Sequence, residues 1–207
     1  MNNLQLLNTA QKILVQSSKN AASKTAWKTA FCALGLSHFD WDAAAKMVVD
    51  FFESQQPNGF LTYLSNTQLT ENITHPPIWG FVLLKLYQQA EEKEDAVAFL
   101  QKMFQKVIRF HQYLYEFRDP NEEGICHIEH PLEDVLTDNP HWQNALKSGN
   151  NFKIQDPFFN AILVQSNEAL IEVADILKAD VSELVQWNEL TVHVFNEKLW
   201  DEERGIY

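Results

Sequence analysis

Residues 118–142 read RDPNEEGICHIEHPLEDVLTDNPHW, a stretch crowded with turn formers, carboxylates and imidazoles and flanked on both sides by long apolar-periodic segments. A polar connection of this length on a helical scaffold is uncommon unless it carries function or is disordered. Disorder does not suit it, because Ile125, Ile128, Leu132, Val135, Leu136 and Trp142 supply apolar groups that pack. The segment therefore reads as a functional loop held between helices.

Upstream, Phe99, Leu100, Met103, Phe104, Val107, Ile108, His111, Leu114 and Tyr115 keep an i, i+3, i+4 stripe from Asp95 until Arg118-Asp119-Pro120 stops it. Downstream, Asp156-Pro157 predicts a cap and first turn for a helix over Phe158 to Leu177. Asp180-Val181-Ser182-Glu183 has the form of a capping box, starting a last helix that ends near Leu199. Nearer the N-terminus, Gln5 to Val15 and Trp27 to Leu36 have helical spacing, and Asp40 can cap a helix from Trp41 to Gln55. Pro57-Asn58-Gly59 turns the chain, residues 60–75 lack period, and Pro77 suits the first position of a helix over Ile78 to Gln89. About seven helices result, with no strand beyond short pairs near 60–64 and 125–128. The expectation is a single all-α domain over 1–207, with helical hairpins side by side and their long connections gathered at one end.

Composition narrows the function. Among 207 residues, 45% are apolar and 12% aromatic, as in globular chains with a sizeable core. A formal net charge of -12 repels phosphate backbones and anionic membranes, so no nucleic-acid or membrane partner is expected, and a small neutral or cationic molecule fits better. Two cysteines, Cys32 and Cys126, make no disulfide framework, and the N-terminus lacks a basic region followed by an apolar run. A cytoplasmic protein is expected, and no apolar run approaches the ~18 residues of a membrane span.

Three constellations in the loop compete with plainer readings. Asp119 to Gly124 resembles the opening of a calcium loop, but His130 stands where a bidentate Glu belongs, which favours a capped turn. Cys126, His127 and His130 could ligate zinc, but no second Cys/His pair follows, which favours a buried thiol beside two loop imidazoles. No metal or cofactor is expected on either ground. Glu129, Glu133, Asp134 and Asp138 set four carboxylates beside Trp142, and glycosidic hydrolysis needs two carboxyl groups across one bond. Such runs are more often solvated.

Four segments in order, WKTAFCALGLSHFD, PPIWGF, RDPNEEGICHIEHPLED with DNPHW, and DPFFNAILVQSNEAL, resemble the glycoside hydrolase family that contains processing α-glucosidase I and the bacterial mannosylglycerate and glucosylglycerate hydrolases. The resemblance runs from about Trp27 to Tyr207. It implies a partial (α/α)6 toroid of the six-hairpin glycosidase kind around a sugar pocket, working by inversion on small α-glucosides or α-mannosides. It also implies Asp138 as the catalytic acid, with Trp27, Phe31, Trp79 and Trp142 offering aromatic faces and His75, Glu133 and Asn139 binding hydroxyls. For Trp79 ordinary core packing is an equal alternative.

The departures bear on catalysis. Where the family has an Asp that holds sugar hydroxyls, this chain has Lys28; the Gln before the double Pro is His75; and a gapless fit puts Thr137 at the acid position, one residue before Asp138. The segment resembling the end of this chain falls in the middle of the family's proteins, and the second catalytic carboxylate is expected beyond it. The chain is thus expected to be an incomplete, truncated half of the catalytic domain, and the alternative is a non-catalytic remnant that binds sugar or protein, or assembles. An open half-ring would expose apolar surface that a second copy could cover.

Overall fold

The computed structural model describes residues 3–19, 25–64, 72–134, 142 and 152–207. Among them are seven α-helices: α1 (Asn3–Lys19), α2 (Ala26–Leu36), α3 (Trp41–Phe51), α4 (Trp79–Gln89), α5 (Lys93–Arg118), α6 (Pro157–Leu177) and α7 (Ser182–Leu199). Short 3₁₀ turns stand at Phe52–Ser54 and Pro131–Glu133. No β-strand forms among the described residues; where short pairs were expected, single bridges join Thr25 to Leu64 and Ile128 to Ile154. None of these helices is long and apolar enough to cross a membrane.

Alternate helices form the inner layer. α2 touches α4, and α4 packs most extensively on α6, while α1, α3, α5 and α7 lie against that row, each touching its chain neighbours. This is part of an (α/α)6 toroid. Short links join α2 to α3, α4 to α5 and α6 to α7, so the long connections that enter α4 and α6 meet near the helix N-termini. Tyr63 N–H donates to Ile73 O, Ala26 N–H to Tyr63 O, and Thr74 N–H to the Glu133 carboxylate, stitching those connections together.

Local chemistry explains most boundaries. Asp40 accepts from Ala43 N–H to cap α3, and Asp156 accepts from Phe159 N–H with Pro157 in the first turn of α6. α3 ends at Phe51 and not Gln55, because the last turn tightens to 3₁₀. The expected capping box at α7 does not form. Asp180 instead accepts from both the N–H and the hydroxyl of Ser182, an Asx turn that closes on the first residue of the helix.

α4 starts differently. Ile78 offers no side-chain cap, and Gly80 N–H donates to Ser166 Oγ on α6, 86 residues away. A Cβ on Gly80 would stand 2.3 Å from Ser166 O and 2.6 Å from Ser166 Oγ, so only glycine permits this approach. From here a hydrogen-bonded chain crosses the interior. Ser166 Oγ–H donates to His111 Nε2 (3.1 Å), and His111 Nδ1–H to Asn167 Oδ1 (2.7 Å). Asn167 Nδ2–H donates to the Tyr115 hydroxyl (2.8 Å), which donates to Thr191 Oγ1 (2.8 Å), which donates to Trp187 O. Every polar group in it is satisfied, and the direction fixes His111 as a neutral Nδ1–H imidazole.

Two stability predictions follow from this interior. Gly80→Ala should lower unfolding free energy by about 1–3 kcal/mol in urea melts, because the added methyl has nowhere to go. His111, held down to about 4 by burial against the Asn167 bond, and His75, held down to about 3 by burial, stay neutral while folded. Unfolding releases both to their ordinary value of 6.5. Their contribution is therefore complete above pH 6.5 and is lost as pH falls toward 4, at up to about 1.4 kcal/mol per pH unit for each. Urea midpoints at pH 7, 6 and 5 should drop accordingly, with roughly half the slope removed by His111→Gln.

Candidate functional site

The connection that follows α5 opens as a turn. The Asp119 carboxylate accepts from Glu123 N–H (2.9 Å) and Gly124 N–H (2.6 Å), so its oxygens are engaged by the backbone. Burial pushes its carboxyl up from the usual range, and those two bonds pull it back only in part. The chain then turns inward. His127 N–H donates to Arg118 O, and Asn160 in the first turn of α6 grips Cys126 from both sides, accepting from its N–H and donating to its carbonyl. Cys126 is fully buried and its thiol, pushed up by burial, faces Leu114 O at 3.5 Å. His127 bonds Glu129, whereas His130 Nδ1 accepts from Leu132 N–H, so the three candidate zinc ligands have separate partners.

Arg118 and Glu133 form the centre, with side chains 3% and 0% exposed. Glu133 Oε1 accepts from Arg118 Nη2 (2.8 Å) and Thr74 N–H (2.9 Å), and Oε2 accepts from Arg118 Nη1 (3.0 Å) and Glu129 N–H (2.7 Å). A carboxylate has about four lone-pair sites, and all of them are filled. Glu129 lies outside this pair and is partly exposed, with Arg118 at 3.1 Å, His127 at 3.1 Å and Lys153 at 3.2 Å. Partial burial pushes its carboxyl up, but the His127 bond, Arg118 and Lys153 outweigh that and hold it below the usual range.

The nominated residues divide into three groups. His75, Trp79 and Glu133 are all 0% exposed. His75 Nε2 accepts from Trp79 Nε1–H at 2.7 Å and its Nδ1 side meets the Thr62 backbone, while Trp79 packs against Phe51 and Phe52. In this structure these three are interior groups: the Trp79 indole N–H and both Glu133 oxygens bond protein groups, and His75 Nδ1 makes no hydrogen bond of good geometry among the described residues. A second group faces solvent at least in part. Trp27 stacks on Phe31 at 5.4 Å and 11°, Phe31 is 55% exposed, and Lys28 is exposed on the same first turns of α2. The buried Nε1 of Trp27 has no partner among the described residues. Trp142 is half-buried, donating to Asp134 Oδ2 at 2.7 Å and meeting the Phe152 ring edge-on at 5.5 Å. The third group, Thr137, Asp138 and Asn139, lies outside the described residues.

The loop's frame is nonetheless built on both sides of that segment, by Trp142 on Asp134 and by the bridge between Ile128 and Ile154. Sequence reasoning did not nominate Arg118 or Asn160. Both stand inside the quoted motifs, and a lone cation at the end of an apolar stripe and an amide in an apolar first turn were the signals to read.

The family model for the mannosylglycerate hydrolase MGH1-like glycoside hydrolase domain matches residues 22–207. The chain belongs to this family. Among curated relatives, the mannosylglycerate hydrolase of Rubrobacter radiotolerans is 24% identical, the match covering 87% of this chain and 58% of that protein. The mannosylglycerate hydrolase of Thermus thermophilus is 25% identical, over 87% of this chain and 60% of the relative. A solved GH63 mannosylglycerate hydrolase from Thermus thermophilus, in complex with glucose, superposes with a TM-score of 0.87 at 26% identity, covering 98% of this chain and 65% of that one. The chain thus spans about 60% of the length of such relatives, and the family likeness extends over both the inner helices and the loop that Glu133 anchors.

Removing one partner of a buried ion pair leaves the other charge uncompensated. Glu133→Gln should therefore lower unfolding free energy by roughly 3–5 kcal/mol in urea titrations. The same change at the exposed, already distributed Glu129 should cost much less, about 1 kcal/mol.

Proposed function

We propose that these 207 residues are part of one all-α catalytic domain of an inverting glycoside hydrolase, acting on small α-glucosides or α-mannosides of the glycosylglycerate type. The observation that carries the reading is the family match over 22–207, which includes both the α2 start and the loop motif. Asp138 is the acid in this reading. Trp27 and Phe31 form a stacked pair with one exposed face, and Trp142 stands at the return of the loop, so these three supply faces for sugar C–H groups. The unpartnered Trp27 N–H supplies a donor, and Asn139 binds a hydroxyl. His75, Trp79 and Glu133 act from behind: they fix the walls and do not touch sugar.

Inversion needs an acid on one side of the bond and a base that activates water on the other. Asp138 fills the first role only. The base belongs to a segment other than those assembled here, and the relatives' greater length leaves room for it.

A second reading has its own support. Lys28 puts a cation on the exposed face beside Trp27, where the family resemblance calls for a carboxylate acceptor. That change suits a sugar- or protein-binding module that has lost turnover, and a second copy remains a candidate partner for it.

The test separates them. Residues 1–207 alone should give no hydrolysis of glucosylglycerate or mannosylglycerate above buffer, followed by proton NMR of the anomeric signals, because an acid without an activated water leaves most of the barrier standing. Where the protein is active at full length, Asp138→Asn should abolish turnover and leave sugar binding largely intact, with the product formed by inversion. Full activity in that variant would defeat the assignment of Asp138. Lys28→Asp restoring turnover to an inactive full-length protein would identify the second reading's cause.

A further inference from the structure

A large cleft lies elsewhere, on the outer wall between α5 and α7, with a volume of about 890 Å³. It shares no residue with the nominated sugar site. Its floor is aromatic: the Trp187 ring stacks on Tyr115 at 4.8 Å and 26°, with Leu190 and Pro57 alongside. That floor is fixed from behind. The Tyr115 hydroxyl is held by Asn167 and Thr191, and Thr191 in turn bonds the Trp187 carbonyl, so both rings sit on the end of the buried hydrogen-bonded chain. A preformed floor spares a ligand the cost of ordering it.

The walls are exposed polar groups. Gln112 and Glu116 on α5, and Glu183 and Gln186 on α7, make no side-chain hydrogen bond among the described residues, and Arg109 has no ion pair there. Their charges discriminate between ligands. An anion would meet Glu116, Glu122 and Glu183 as well as the Asp119 turn; an organic cation would pair with those carboxylates but leave the Arg109 guanidinium unmet. A neutral polyhydroxyl ligand suffers from neither. Its hydroxyls both donate and accept, matching guanidinium, amide and carboxylate together, while its C–H faces suit an aromatic floor.

We propose that the cleft between α5 and α7 is a second saccharide-binding site, separate from the inner site, in which a neutral oligosaccharide stacks on Trp187 and bonds Arg109, Gln112, Glu116 and Gln186. It needs no catalytic group and does not depend on the hydrolase reading.

Calorimetric titration of the full chain tests it, with maltotriose and an α-linked mannotriose as saccharide probes, spermidine as a cationic probe and citrate as an anionic one. Saccharide binding in the millimolar range is expected. Trp187→Ala should weaken it about tenfold or more. Because that change also removes a core contact, the exposed pair Gln112→Ala/Gln186→Ala serves as a second variant, expected to weaken binding at least about fivefold with an unchanged circular dichroism spectrum. Trp27→Ala should leave this binding unaltered, which separates it from capture at the inner site. The proposal is overturned if neither saccharide binds, if binding survives the double substitution, if Trp27→Ala alone removes it, or if spermidine or citrate binds there in preference to sugar.

Discussion

A carboxylate sealed from water must find a donor for every lone pair, and Glu133 satisfies this demand by drawing together segments distant in the chain. Its partners come from the end of α5, from the connection into α4 at Thr74, and from its own loop at Glu129. The two loop segments are irregular, and each needs the others to keep its backbone in place. The layer of helices gives them a common edge, but the ion pair with Arg118 decides how the two long connections face each other. A hydrophobic contact at the same spot could supply packing without direction. The charge pair fixes orientation as well, because the guanidinium fork matches both oxygens.

The helical layer is largely legible in the residues. Asp40, and Asp156 with Pro157, announce their helices through side chains that act within three residues, and the α5 stripe repeats turn after turn before a Pro stops it. The α7 start departs from expectation for an instructive reason: Asp180 can serve either a helix or an Asx turn, and Ser182 offers it two donors at once. α5 begins two residues ahead of Asp95, since Lys93 and Glu94 extend the first turn with no side-chain cap at all.

The candidate site is legible in its motifs and not in its burial. His75, Trp79 and Glu133 are types that serve equally in a sugar pocket or in an interior network, and sequence spacing cannot separate the two. For Glu133 the deciding donor, Thr74 N–H, comes from 59 residues away. For Trp79 and His75 the deciding fact is that each is the other's hydrogen-bond partner, four residues apart, with Phe51 closing over both. Trp27 and Phe31 are readable as a pair from their i, i+4 spacing, and they do stack.

The start of α4 carries a consequence for the order in which the chain folds. A helix usually has its first N–H groups met by a residue at its own N-terminus, so it can form as soon as it is made. Here Gly80 N–H waits for Ser166, which lies 86 residues further along the chain and must be synthesised first. At cellular elongation rates that interval lasts roughly 4 to 17 s. During it, the entry to α4 and the apolar face meant for α6 stay open, and the pairing that closes them is non-local and hence slow by its topology. The inner layer can be sealed only when α6 arrives, so the central helix of this partial toroid is completed by one made well after it.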